Sequence, residues 1–142
     1  MATRYPPETI KAVRFALLAS IGAQTAVGAA LGATVEPALA GDGRYAAAGG
    51  LFLAAVAGYV FARYLTRRRT PDGQGGDWQT AAITEAAFAE APATLGLVAA
   101  FLTGEGVFAV PFGIFAVFAW TLSAPRAPAE ADKIGPEGFP RL

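Results

Sequence analysis

Four runs of mostly apolar residues, each close to the length that crosses a lipid bilayer, dominate this chain and limit what it can fold into. A hydrocarbon core of roughly 30 Å takes about 20 apolar residues as a helix. The runs fall at residues 10–35, 45–65, 78–103 and 107–123. Inside a bilayer no water bonds to exposed backbone, so each run is expected as a helix, which pairs its own backbone groups. Hydrophobic residues make up 54% of the 142 and charged ones only 15%, and the charges cluster between the runs. The expected fold is therefore an all-α membrane protein. One domain, residues 1–124, holds four transmembrane helices joined as antiparallel hairpins, and a polar, poorly ordered tail follows at 125–142.

The basic residues give an orientation. Arg4, Lys11 and Arg14 open the first run, Arg63, Arg67, Arg68 and Arg69 close the second, and Arg126, Lys133 and Arg141 follow the fourth. Ten of the eleven Lys and Arg thus fall on one side, with Arg44 alone on the other. Cytoplasmic loops carry such an excess, so both termini are expected on the cytoplasmic side of a prokaryotic inner membrane. A cleaved leader is the alternative for residues 1–40, because Ala38-Leu39-Ala40 before Gly41 has the small-residue pattern of a cleavage site. The first apolar run exceeds the roughly 7–15 residues of a signal peptide core and contains Gln24 and Thr25, which favours a retained helix.

Helices in lipid associate through close approach at small residues, since lipid tails are as apolar as the side chains they replace. Small residues recur at helical spacing in each run: Gly28 and Gly32 in the first; Ala46, Gly50, Ala54, Gly58 and Ala62 in the second; Ala82, Ala86, Ala89, Ala93, Gly96 and Ala100 in the third. These faces are expected to pack the bundle. In the fourth run Ala109, Gly113 and Ala116 are expected to face it, leaving Phe108, Phe112, Phe115 and Phe118 for lipid or a partner protein.

Glu90 lies near the middle of the third run, where a carboxylate is costly and is by default a functional-site candidate. Gln24 falls at a similar depth in the first run and is a candidate partner, as are Thr94 and the Phe88 backbone. Pro92 has no amide hydrogen, so it leaves the Phe88 carbonyl without its helical partner and predicts a kink or a free acceptor beside the acid. A protonated Glu90 donates to such a carbonyl and an ionised one is repelled by it, so the neutral acid is the expected resting form. Glu85, about 7–8 Å shallower at 1.5 Å per residue, is a second buried acid with Arg14 and Arg63 as candidate partners.

Around Glu90 the chain resembles a known family. Ala89-Glu90-Ala91 followed by Leu95-Gly96-Leu97-Val98-Ala99-Ala100-Phe101 is similar to the carboxylate-bearing helix of subunit c, the proteolipid of rotary ATP synthases. The resemblance covers about residues 45–103, including a small-residue helix and the loop Arg67-Arg68-Arg69-Thr70-Pro71-Asp72. It implies that Glu90 binds and releases H⁺ or Na⁺. The chain departs from that family in adding a helix on each side, in carrying Glu85, and in placing Pro92 beside the acid.

With no His and no Cys, the chain lacks the commonest general base, thiol nucleophiles and the usual transition-metal ligands. Neither an enzyme, a metal site, a bound cofactor nor a nucleic-acid partner is expected. The bilayer is the expected surrounding, with a homo-oligomer or a larger membrane complex as partner. Two readings result: a reversible proton or cation site at Glu90, or a non-catalytic structural or assembly subunit.

Overall fold

The computed structural model describes residues 7–32, 34–39, 41–69 and 77–123; the side chains of 7, 67–69 and 77–79 are not described. The expected tail at 125–142, the basic residues Arg4, Arg126, Lys133 and Arg141, the loop at 70–76 and the Trp78 and Arg67–Arg69 side chains lie outside this description. The described chain is all-helical: α1 (Pro7–Gly32), α2 (Gly43–Arg69), α3 (Asp77–Thr103), a 3₁₀ turn at Gly106–Phe108 and α4 (Ala109–Leu122).

Three of these helices are long and apolar enough to cross a membrane, over Glu8–Gly32, Gly43–Thr66 and Thr80–Thr103. The 3₁₀ turn and the fourth helix, α4, together cover Gly106–Leu122, within one residue of the expected run at 107–123, and α4 itself is short. Its 14 residues rise only about 21 Å at 1.5 Å per residue, short of the roughly 30 Å core. Pro111 is tolerated in its first turn, where an N–H has no intrahelical partner.

Antiparallel order is tied at both ends. At one, the Leu39 N–H bonds the Leu102 carbonyl at 3.2 Å and Arg44 pairs with Glu105 at 3.2 Å while bonding the Thr103 carbonyl at 3.1 Å. Gly104 turns the chain there with φ +68°, and Pro37 closes over it. At the opposite end lie the start of α1 and the finish of α4, joined through Arg14 and Ser123.

α3 is the central helix and touches α1, α2 and α4. Its small stripe is buried throughout: Ala86 and Ala89 are 0% exposed and Ala93 1%. Close approach is enforced at the glycines. A Cβ on Gly96 would stand 2.5 Å from Phe112 Cβ, one on Gly28 2.8 Å from Ala109 Cβ, and one on Gly32 2.8 Å from Gly106 Cα.

α2 behaves differently from expectation. Gly50, Ala54 and Gly58 are exposed, and a Cβ on either glycine would meet nothing within 4 Å. The helix turns Ala48, Phe52, Ala55, Tyr59 and Ala62 inward instead. Its rings interlock with those of α4, Phe52 on Phe112 at 5.1 Å and Tyr59 on Phe115 at 5.9 Å, both edge to face. The Phe face expected to look at lipid is accordingly divided: Phe112 is buried, Phe108 and Phe115 half-buried, and Phe118 exposed. Ala109, Gly113 and Ala116 are buried in the bundle.

Candidate functional site

Glu90 stands thirteen residues from each end of α3, about 20 Å of rise from either. Ser20, thirteen residues into α1, lies at the same level because the two helices run antiparallel. One turn further along α1, Gln24 falls on the same face. The Ser20 hydroxyl donates to Glu90 Oε1. Gln24 Nε2 donates to the same oxygen at 2.8 Å and to Ser20 Oγ at 3.1 Å. The Thr94 hydroxyl donates to Gln24 Oε1 at 2.8 Å. Thr94 therefore acts through Gln24 rather than on the acid directly. Among the described residues no bond joins Glu90 to the Phe88 carbonyl; the acid turns to α1, whose donors satisfy it better than an acceptor can. α3 remains helical through Pro92, which is buried.

The cluster lies at the edge of the α1–α3 seam. Ser20, Gln24 and Glu90 are half-buried and Thr94 is exposed. On the other side of the seam α4 packs in, with Ile21, Ala93 and Ala116 forming one core cluster. An ionised acid is acceptor-only, and two converging donors of this kind contribute about 1.5–3 kcal/mol each where a charged partner is involved. Ser20 was absent from the sequence expectations, although its spacing of four from Gln24 carries the signal.

Glu85 has a different neighbourhood. Five residues before Glu90, it is rotated about 140° round the helix. It faces α2, where the Thr66 hydroxyl donates to Glu85 Oε1 at 2.8 Å. Neither Arg14 nor Arg63 forms an ion pair with it among the described residues. The two acids flank the buried Ala86–Ala89 contact and do not form one relay.

Arg14 is committed elsewhere. It is 7% exposed, and its Nη1 donates to the Ser123 carbonyl at 2.6 Å while Nη2 donates to the Trp120 carbonyl at 3.2 Å. Tyr59 donates to the Ala119 carbonyl at 2.9 Å, and Arg63 Nη2 reaches the Leu122 carbonyl at 3.5 Å. The last carbonyls of a helix run short of intrahelical donors; here the Ser123 N–H serves Ala119 and Trp120 at 3.0 and 3.2 Å, and α1 and α2 add donors to these two and to Leu122 and Ser123. These contacts from other helices, unforeseen from sequence, hold the end of α4 in the bundle. No group of three or more acidic residues placed to hold a metal occurs among the described residues. Compared with known proteins, the chain matches no family model, no curated protein and no solved structure.

Proposed function

We propose that this small multi-pass membrane protein holds Glu90 as a reversible, non-enzymatic proton site midway through its bundle. One observation carries the reading: donors from Ser20 and Gln24 converge on a single carboxylate oxygen at the midpoint of the apolar helix α3. A bare carboxylate at that depth is prohibitively costly, and intramembrane acids of this kind mark ion and proton paths. Two donors make the ionised form tolerable without a permanent counter-ion, so the acid can lose a proton and regain it. The proton is favoured over Na⁺ as cargo because the N–H and O–H groups point at the acid, whereas a cation needs oxygens turned inward.

The resemblance of residues 45–103 to subunit c supports the same chemistry. The partners of Glu90, however, come from α1, outside the resembling segment. The proposed site therefore operates between α1 and α3 of one chain.

A hydrophobic carbodiimide, which attacks protonated carboxyls from the lipid side, tests the proposal. Glu90 is the expected adduct, with labelling that declines as pH rises. A folded, membrane-embedded sample that takes no label at Glu90 overturns the reading.

A second reading, a structural subunit of an oligomer or larger membrane assembly, draws on the open face of Gly50, Ala54 and Gly58. Small residues exposed on a lipid-facing helix permit close approach of another helix. On that reading Glu90→Gln leaves function intact and bulky residues at Gly50 or Gly58 abolish association.

A further inference from the structure

Gln24 holds two side chains of α3 with opposite ends of one amide. Nε2 meets Glu90 Oε1 and Oε1 meets the Thr94 hydroxyl, each at 2.8 Å. Glu90 and Thr94 are one helical turn apart on the same face, so a single side chain from α1 reaches both. A primary amide presents a donor at one end and an acceptor at the other. A half-turn about its last bond exchanges them with little change of shape.

The observed orientation suits an ionised acid, not the neutral resting form expected from a bond to the Phe88 carbonyl, because Glu90 Oε1 meets two donors instead. A carboxylate only accepts, so it faces the N–H, and the Thr94 hydroxyl gives its proton to the amide oxygen. A proton arriving on Glu90 Oε1 turns that oxygen into a donor, and the N–H opposite becomes the wrong partner. Turning the amide restores the match. Gln24 Oε1 then accepts from the Glu90 O–H and from the Ser20 hydroxyl, which in the observed state donates to Glu90 and accepts from Nε2. Nε2 donates to Thr94 Oγ1, and the Thr94 hydroxyl turns its proton to the carbonyl four residues back in α3. No bond other than that to the proton forms or breaks.

We propose that Gln24 is a positioning residue whose amide reverses with the protonation state of Glu90, Thr94 serving as its far anchor. The inference rests on the proton-site reading. No charged group of α1, α2 or α4 is bonded to Glu90 among the described residues. The charged neighbours in sequence are engaged elsewhere, Arg14 with the Trp120 and Ser123 carbonyls and Glu85 with Thr66.

The test is solid-state NMR on the full chain in lipid bilayers, with ¹⁵N-glutamine and ¹³C-glutamate. The Glu90 carboxyl shift reports its proton, and the dipolar coupling between Gln24 Nε2 and the Glu90 carboxyl carbon reports the amide. The coupling is expected to fall as the acid takes its proton, with the same midpoint. In Thr94→Val the contrast between the two couplings is expected to shrink, and Thr94→Ser is expected to restore it. A Glu90 that titrates while the coupling stays constant overturns the inference and leaves the proton site standing. A Glu90 shift that is fixed wherever the fold survives overturns both.

Discussion

Arg14 and Trp120 hold each other's backbone. Arg14 Nη2 donates to the Trp120 carbonyl at 3.2 Å, Trp120 Nε1 donates to the Arg14 carbonyl at 3.1 Å, and the guanidinium lies 4.7 Å from the indole centroid. This reciprocal grip fastens the short α4 to α1 inside the bundle. It satisfies carbonyls that lipid cannot, and it spends an arginine that sequence alone makes a partner for Glu85.

Arg14→Ala is expected to destabilise the bundle by about 1–3 kcal/mol, chiefly at the Ser123 carbonyl, because the Trp120 carbonyl keeps the Ser123 N–H and hydroxyl. Arg14→Lys is expected to recover only part of that loss, because an ammonium lacks the planar fork that reaches Trp120 and Ser123 together. Unfolding in detergent micelles measures both. Wild-type stability in Arg14→Ala would show that the cap contributes little.

Gly96 and Gly50 make a paired test of helix packing. Gly96→Ala brings a methyl against Phe112, and overpacking of this kind costs about 1–3 kcal/mol. Gly50→Ala meets open space and is expected to leave the stability of the single chain unchanged or slightly raised. Should Gly50→Leu abolish a native oligomer while the chain stays folded, the open face of α2 is an assembly surface.

Much of this arrangement was legible in the residues. The apolar runs gave the helices, and equal depth in antiparallel neighbours brought Gln24 to Glu90. The inward face of α2 was not legible, because its small residues and its Phe52 and Tyr59 row both recur at helical spacing. Lipid exerts no hydrophobic preference between two apolar faces; the choice came from the fit of those rings to Phe112 and Phe115. The end of α4 was legible to within a residue, but the Arg14, Arg63 and Tyr59 bonds to its last carbonyls were not, because those donors come from other helices.

The turn between α3 and α4 separates backbone strain from surface charge. Gly104→Ala forces a Cβ into φ +68° and against Pro37, and the left-handed conformation alone costs about 1–2 kcal/mol. Glu105→Gln removes a part-exposed ion pair with Arg44 and is expected to cost less than about 1 kcal/mol. Thermal unfolding of the two variants in the same detergent compares them directly.

Gln24→Leu removes one of the two donors to Glu90, which disfavours the ionised acid relative to the protonated one. At a pH where the wild-type acid is mostly ionised, carbodiimide labelling of Glu90 is expected to quicken, by roughly tenfold if the bond contributes about 1.4 kcal/mol. Ser20→Ala is expected to act in the same direction, and a rate unchanged in both would deny these donors a part in holding the charge.

The most direct measurement is infrared difference spectroscopy of the protein in bilayers across a pH titration, with Glu90→Gln as the control. A protonated-carboxyl band is expected that disappears as pH rises, returns when pH is lowered, and is missing from Glu90→Gln. A wild-type difference spectrum identical to that of Glu90→Gln over the whole range in which the protein stays folded would contradict a reversible proton site at Glu90.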